Sequence, residues 1–229
     1  MHLTKDKMIW VPDDDDWHEW GEAWEKIEFT DIMNHHISNW DVALDIGAHV
    51  GIWSMRLAEK FKRVYAFEPV PKHIECWKQN MLKFTSEHSE WENVSILNTE
   101  ALGHENGTNT MIVPNTTNTG RATFVEKLFI NKHNFPKIQV ETKTLDSYEF
   151  DQVDFIKMDV ESFELKVLQG AENTIRKHKP STYIEMSDPE AYTFIDNLDI
   201  GYRIFYSNSM NRLFKNNTVL EELKEILKK

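Results

Sequence analysis

The amino-acid sequence predicts an α/β fold in which a mostly parallel sheet carries helices on both faces. From residue 41 onward, short apolar runs typical of strands alternate with segments of helical periodicity, an order that favours parallel strands joined by helices. A loop with two glycines follows the first apolar run, and an acidic residue ends the second. We predict strands at residues 42–46, 64–67, 94–97, 155–159, 182–186 and 202–206, and helices at 52–60, 72–84, 163–177 and 190–198.

The glycine loop and the acid predict a nucleoside-binding unit. The loop, Asp45-Ile-Gly-Ala-His-Val-Gly51, follows the first predicted strand, and Glu68 ends the second strand 21 positions after Gly47. Glycines at a strand-to-helix turn allow close backbone approach to a ligand, and an acid at the next strand tip can accept hydrogen bonds from ribose hydroxyls. The spacing G-x-x-x-G departs from the dinucleotide pattern, and Asp45 favours S-adenosylmethionine, whose sulfonium cation suits a carboxylate-lined pocket. The alternative is a tight turn in another kind of α/β protein.

Composition excludes several classes of protein. At 229 residues the chain suits one substantial core, it has no apolar run long enough to span a bilayer, and its start lacks the apolar stretch of a signal peptide. The single cysteine, Cys76, excludes an internal disulfide and a multi-cysteine metal site. The net charge of −12 favours a small or neutral substrate over nucleic acid, because phosphate binding usually requires a basic surface. We therefore expect a cytoplasmic protein without a membrane span.

Residues 1–40 are predicted to form an N-terminal helical extension. Four consecutive aspartates precede Trp17, Trp20 and Trp24, whose spacing places the three indoles on one helix face. Acids suit the positive end of a helix dipole. The simplest interpretation is that this helix packs its tryptophans against the domain. The alternative is that it forms a lid or a pocket wall that receives a sugar or an aromatic ring.

Residues 41–229 are predicted to be a single Rossmann-like domain. The alternation of strands and helices is interrupted at about 104–145, where a loop rich in Gly, Asn and Thr precedes β-like segments at 122–125 and 138–144. We interpret this region as a loop and strand excursion that carries either substrate specificity or only surface decoration. A short amphipathic helix is predicted at 220–227.

A second group of acids follows another predicted strand. The run Ile156-Lys-Met-Asp-Val-Glu-Ser-Phe-Glu164 places Asp159 and Glu161 at the end of this strand, and alternation in an extended chain directs both to the same side. Ligands of open α/β sheets bind at the carboxyl ends of the strands. We therefore expect both acids to face the same crevice as the glycine loop and Glu68. The alternative is that such an acid only caps the next helix, which is the role we expect for Glu164.

These motifs resemble those of the FkbM family of S-adenosylmethionine-dependent methyltransferases. The resemblance covers about residues 41–186. It implies a class I methyltransferase fold, S-adenosylmethionine as the cofactor and, most often, O-methylation of a hydroxyl on a sugar or natural product. The matching motifs are Asp45-Ile-Gly-Ala-His-Val-Gly51, Ala66-Phe-Glu-Pro-Val-Pro71, Thr144-Leu-Asp146, Ile156-Lys-Met-Asp-Val-Glu-Ser-Phe-Glu-Leu165, Val167-Leu-Gln-Gly-Ala171 and Lys179-Pro-Ser-Thr-Tyr-Ile-Glu185.

The resemblance also implies roles for individual residues. The proton of the acceptor hydroxyl would pass to Asp159, Glu161 or Glu185, and the alternative is His49 in the glycine loop. A divalent cation that lowers the pKa of the hydroxyl is possible, although no metal site is predicted. The implied cofactor-binding residues are Asp45, Gly47, Ala48, His49 and Gly51 in the loop, Glu68 and Pro69 at the ribose, Glu100 and Ala101 beside the adenine, and Asp159.

Two residues depart from the family pattern. His49 stands where the family usually has asparagine, and Ser162 stands where it usually has glycine. If position 162 requires a positive φ, serine costs on the order of 1 kcal/mol there. We interpret the serine as tolerated, because the acids around it are retained.

Several other functions compete with O-methylation of a small molecule or glycan. A nicotinamide-dependent oxidoreductase would need a G-x-G-x-x-G loop, which is absent, and a nucleic-acid methyltransferase would need a basic groove. A methyltransferase acting on a protein is a further alternative. A nucleoside-binding module without catalysis has only Ser162 in its favour.

Overall fold

The computed structural model describes residues 1–5, 7–15, 37–88, 94–115, 118–129, 135–185, 188–207 and 211–216. Its strands are β1 (His2–Leu3), β2 (Trp10–Val11), β3 (Val42–Ile46), β4 (Arg63–Phe67), β5 (Ser95–Asn98), β6 (Ala101–Leu102), β7 (Gly107–Ile112), β8 (Lys137–Lys143), β9 (Phe155–Met158), β10 (Ser181–Glu185), β11 (Tyr202–Ser207) and β12 (Asn211–Asn216). Its helices are α1 (Ile52–Ala58), α2 (Pro71–Glu87), α3 (Glu164–Gln169), α4 (Glu172–His178) and α5 (Pro189–Asn197).

In the described part of the chain, seven strands form the main sheet, in the order β5-β4-β3-β9-β10-β12-β11. The five strands from β5 to β10 are parallel to one another, and β12 runs antiparallel to both of its neighbours. The predicted α/β class with a mostly parallel sheet is therefore confirmed. The chain moves outward from β3 in one direction through β4 and β5 and in the other through β9 and β10. This reversal of strand order is the place where open α/β sheets bind ligands.

The sheet has a hydrophobic core on each face. Neighbouring residues of a strand alternate between the two, so that Ala43 packs with α1 and α2 residues and Leu44 packs with residues of α3, α4 and α5. Helices on both faces, as predicted, follow from strands that are apolar on both sides.

The sequence pattern does not predict strand β12. Its two apolar residues, Leu213 and Phe214, are adjacent and belong to the cores on opposite faces of the sheet. Because the strand buries one apolar residue on each face of the sheet, its sequence lacks the alternation of apolar and polar residues that identifies a half-exposed strand.

The helix predicted over residues 163–177 is wrong as a single element, because it consists of α3 and α4. Gly170 separates them, and a Cβ atom at this position would lie 1.9 Å from the carbonyl oxygen of Gly103. The chain turns here because the backbone of Gly170 packs directly against another backbone segment.

A second, three-stranded sheet occupies residues 101–143, in the order β6-β8-β7. Strand β7 lies in a segment that the sequence predicts as loop, and it pairs with β8 along its whole length. Its first four residues are exposed, so they carry no apolar signal. The predicted β-like segment at 122–125 makes only an isolated bridge between Thr123 and Ile112.

The N-terminal residues form a small hairpin of β1 and β2 against helix α2. Asn80 of α2 accepts a hydrogen bond from the backbone N–H of Trp10 and donates one to the carbonyl of the same residue. The predicted helix with Trp17, Trp20 and Trp24 and the predicted helix at 220–227 lie outside the described residues. Within the described part of the chain, no helix combines the length and apolar character needed to cross a membrane.

Candidate functional site

The glycine loop lies against the end of strand β9. Gly47 has a φ of +77°, and a Cβ atom there would lie 1.8 Å from the carbonyl oxygen of Asp159. Gly51, with a φ of +95°, precedes α1, and a Cβ atom there would lie 2.7 Å from the Trp77 ring. Both positions require glycine, because the backbone is left-handed there and because a side chain would collide with Asp159 or Trp77.

Glu68 is buried at the end of β4 and is held by the loop and by α2. Its Oε2 accepts a hydrogen bond from the backbone N–H of His49 at 2.9 Å. Its Oε1 accepts one from the backbone N–H of Val70 at 2.9 Å and one from His73 Nδ1 at 3.2 Å. A carboxylate has about four acceptor positions, so about one remains for a ligand.

Lys157 is a site residue that the sequence analysis did not single out. It is 4% exposed and lies in the middle of β9. Its Nζ donates to the carbonyl oxygen of Gly47 at 3.0 Å and lies 3.7 Å from both Asp45 Oδ1 and Asp159 Oδ2. The sequence does contain a signal for this role, namely a lysine inside an otherwise apolar strand. A buried ammonium group requires polar partners, so such a lysine indicates a site.

Asp45 lies beneath the glycine loop and is fully buried. Its Oδ2 accepts a hydrogen bond from Ser54 Oγ at 2.6 Å, and Ser54 in turn accepts one from Trp77 Nε1 at 2.8 Å. Burial raises the pKa of Asp45, and Lys157 acts in the opposite direction. In this structure Asp45 is linked to the loop through Lys157, which donates to the Gly47 carbonyl, and Asp45 does not line the cavity described next.

A cavity of about 290 Å³ opens at the carboxyl ends of β3, β4 and β9. The predicted site residues on its walls are Gly47, Ala48, His49, Glu68, Pro69, Ala101, Asp159 and Glu161. Four of the predicted site residues do not line the cavity. They are Asp45, described above, and Gly51, Glu100 and Glu185. The carboxylate of Glu100 pairs instead with Lys143 at 2.5 Å.

The remaining walls are mostly apolar and come from several elements. Trp53 of α1 lines the cavity and lies near the ring of Tyr183, with ring centroids 5.5 Å apart. Residues between 101 and 124 supply another wall, which includes Met111, Gly120 and Phe124. Part of the excursion at 104–145, for which either a specificity role or surface decoration is expected, therefore lines this cavity.

Asp159 and Glu161, which follow β9, and Glu185, which ends β10, influence one another electrostatically. Burial, followed by the negative charges of Asp159 and Glu185, raises the pKa of Glu161 to about 7, and Arg121 acts in the opposite direction. Burial and the charge of Asp159 also raise the pKa of Glu185 to about 7. Glu161 therefore titrates near neutral pH at the wall of the cavity. No cluster of three or more metal-binding side chains occurs among the residues that the structure describes.

His49 occupies the loop in a left-handed conformation, with a φ of 51°. Its ring packs edge-on against the His73 ring, with centroids 4.2 Å apart. Burial lowers the pKa of His49 well below its usual value, and the neighbouring His73, Lys157 and Lys72 add to this effect. His49 is therefore a neutral side chain at neutral pH.

Comparison with known proteins identifies the type of domain. The family description "Methyltransferase FkbM domain" matches residues 45–214. The solved methyltransferase FkbM from Methylobacillus flagellatus KT is similar with a TM-score of 0.53 and 20% sequence identity, over 76% of this chain and 43% of that one. This chain thus spans less than half the length of that protein.

Two further solved structures have lower TM-scores. An rRNA methylase from Streptococcus thermophilus has a TM-score of 0.48 and 14% identity, over 82% of this chain and 93% of that chain. A precorrin-6y C5,15-methyltransferase from Geobacter metallireducens GS-15 has a TM-score of 0.47 and 12% identity, over 92% of each chain. None of the curated proteins compared with the sequence matches it. At these identities, structural similarity establishes the fold alone, and that fold is the class I methyltransferase fold.

Proposed function

The chain belongs to the FkbM methyltransferase family, and we propose that it transfers the methyl group of S-adenosylmethionine to a hydroxyl of a sugar or another small molecule. The observation that carries this proposal is the cavity shared by the glycine loop, Glu68 and the acids Asp159 and Glu161. A cofactor bound along the loop would face the acids across the same cavity. The acceptor would then enter between them.

The residues around the cavity fit S-adenosylmethionine. We assign the ribose to Glu68, whose remaining acceptor position suits one hydroxyl. We assign the adenine to the apolar wall that contains Ala101 and Leu102, and the methionine part to the loop backbone at Gly47. When bound, the cofactor supplies a methyl group on a positively charged sulfur. The carboxylate of Asp159 favours a cation in this cavity, while Lys157 keeps that carboxylate in position.

We assign the role of general base to Glu161. It lines the cavity, and its pKa of about 7 allows it to accept a proton from a hydroxyl near neutral pH. Methyl transfer requires the acceptor oxygen, the methyl carbon and the sulfur in line, so orientation of the acceptor is as important as removal of its proton. Glu185 lies outside the cavity lining and raises the pKa of Glu161 by its charge.

The acceptor class is supported by charge and by the cavity walls. The chain has a net charge of −12, which disfavours a nucleic-acid acceptor. Aromatic residues on the walls, such as Trp53 and Phe124, suit the apolar face of a sugar ring or an aromatic ring. A cytoplasmic location, expected from the sequence, belongs to the same proposal. A panel of glycans and metabolites offered with labelled methyl donor identifies the acceptor.

Binding of S-adenosylmethionine tests the cofactor assignment. Substitution Glu68→Ala is expected to weaken binding at least about tenfold, because it removes the ribose acceptor and three hydrogen bonds that hold the loop and α2. Isothermal titration calorimetry measures this change. Glu105→Ala removes an exposed carboxylate and is expected to leave the affinity unchanged. Unchanged affinity in folded Glu68→Ala contradicts the ribose assignment, and absence of binding by the wild-type protein contradicts the proposed function.

A further inference from the structure

A continuous buried chain of polar groups connects Glu68 to the N-terminal segment. His73 Nδ1 lies 3.2 Å from Glu68 Oε1, and His73 Nε2 lies 3.1 Å from Thr119 Oγ1. Thr119 Oγ1 donates to Asp15 Oδ2 at 2.6 Å, and the backbone N–H of Thr119 reaches the same oxygen at 3.3 Å. Each of these four residues is at most 5% exposed. Side chains that are buried to this extent and in contact form a single network.

The number of available protons fixes the direction of these hydrogen bonds. Thr119 has one hydroxyl proton, and it points to Asp15. The contact between Thr119 Oγ1 and His73 therefore requires a proton on Nε2, since a hydroxyl oxygen can still accept. Glu68 is an acceptor for two backbone N–H groups, so its contact with His73 requires a proton on Nδ1 as well. In this arrangement His73 donates from both ring nitrogens, to Glu68 on one side and to Thr119 on the other.

The groups around His73 suit an imidazole that donates from both ring nitrogens. The carboxylates of Glu68 and Asp15 face it through the chain, and the ring of His49 on the other side is neutral. On its own helix, the ammonium group of Lys72 is paired with Asp14 at 2.6 Å. The negative groups linked to the imidazole thus balance the positive ones.

The chain connects the cofactor cavity to one of its walls. Glu68 and His73 line the cavity, and the 3₁₀ turn Thr119–Arg121 contributes Gly120 to its wall. The histidine therefore links two parts of the cavity that come from distant segments. The side chain of Glu68 accepts hydrogen bonds from His49, Val70 and His73, and of these His73 is the one that continues to the Thr119 turn.

We propose that His73 is a positioning residue of the cofactor site, which donates from both ring nitrogens to fix Glu68 toward the ribose and to hold the Thr119 turn and Asp15 at the cavity wall. The part of this proposal that concerns the ribose rests on the proposed function. Loss of the link would allow Glu68 to rotate and the turn to move. Both changes are expected to weaken nucleoside binding.

Two substitutions of Thr119 separate the link from packing. Thr119→Val keeps the side-chain volume and removes the hydroxyl that accepts from His73, whereas Thr119→Ser keeps the hydroxyl. We expect Thr119→Val to weaken binding of S-adenosylhomocysteine by about tenfold. Thr119→Ser is expected to keep the affinity within about twofold of the wild type. Calorimetry gives both affinities, and thermal unfolding shows whether each variant is folded.

Nitrogen NMR of histidine-labelled protein reads the protonation of His73 directly, in the absence of cofactor. Two protonated ring nitrogens at neutral pH, together with the loss in Thr119→Val, support the proposal. A single protonated nitrogen in the wild type, or unchanged affinity in folded Thr119→Val, overturns it. If Thr119→Val does not fold, the NMR signals of the wild type and Thr119→Ser decide. If the wild type does not bind S-adenosylhomocysteine, the proposed function fails, while the NMR signal still decides whether His73 donates from both nitrogens.

Discussion

At the scale of single residues, the turn after β9 contains two adjacent residues in left-handed conformation. Glu161 has a φ of 52° and Ser162 a φ of 71°. The hydroxyl of Thr123 donates to the Glu161 carbonyl at 2.7 Å, and the N–H of Ser162 donates to Glu164 Oε1 at 3.1 Å. The surrounding contacts thus hold a backbone that serine disfavours. The condition stated for Ser162 in the sequence analysis, a positive φ, is met.

Ser162→Gly is expected to increase the free energy of unfolding by about 1 kcal/mol. Glycine adopts this φ without steric cost, and the gain is reduced by the greater freedom of glycine in the unfolded chain. Chemical denaturation measures the difference. Ser86→Gly near the end of helix α2 is the control, and it is expected to lower stability by up to about 0.5 kcal/mol. A destabilised Ser162→Gly variant would show that the serine side chain contributes more than its backbone strain costs.

The pH dependence of turnover tests Glu161 as the base. Its raised pKa, about 7, means that the side chain is protonated and inactive in acid and becomes ionised as the pH rises through 7. We expect kcat/KM to rise up to about tenfold per pH unit below pH 7 and to level off above it. Glu161→Gln should lower kcat about 10²–10⁴-fold and remove this limb, while Glu105→Gln should change neither. A wild-type profile that is flat between pH 5.5 and 8 would exclude this role.

At the scale of secondary-structure elements, periodicity in the sequence locates most of the main sheet. Strands β3, β4 and β9 are predictable because each is a short apolar run that ends in an acid or a glycine. The break between α3 and α4 is not predictable, because it depends on the distant backbone of Gly103. Strand β7 is missed because an edge strand with exposed polar residues carries no pattern.

Helix α2 holds the N-terminal hairpin in place through one buried amide. Asn80 is 1% exposed and also donates to the carbonyl of Val50, just before helix α1. Asn80→Ala is expected to lower the free energy of unfolding by about 2–3 kcal/mol, because it leaves buried backbone groups of Trp10 and Val50 without partners. Hydrogen exchange should increase in residues 2–11.

The control for this prediction is Asn197→Ala, which removes an exposed amide at the end of α5. We expect a change within about 0.5 kcal/mol and no effect on exchange in the hairpin. If Asn80→Ala leaves the exchange of the hairpin unchanged, contacts other than this amide hold the hairpin on α2.

At the scale of the whole molecule, the order of motifs predicts that Glu68, Asp159 and Glu161 meet at one cavity, and the cavity contains all three. That result follows from sequence because parallel strands place their carboxyl ends at one edge. The contacts of Lys157 and the chain through His73 depend on groups more than 40 positions apart. Periodicity contains no information about such contacts.

The domain boundaries stay a prediction. The division at residue 40 and the role of the Trp-rich segment depend on residues outside the described ranges. The excursion at 104–145 is a separate small sheet that contributes to the cavity wall. The fold, the family and the position of the cavity do not depend on that division.

A crystal structure of the protein with S-adenosylhomocysteine would show whether the glycine loop, Glu68 and the two acids form one cofactor site. We expect the nucleoside in the cavity, with a ribose hydroxyl within hydrogen-bond distance of Glu68 and the sulfur directed toward Asp159 and Glu161. A nucleoside bound at another surface, or a ribose that makes no contact with Glu68, would contradict it.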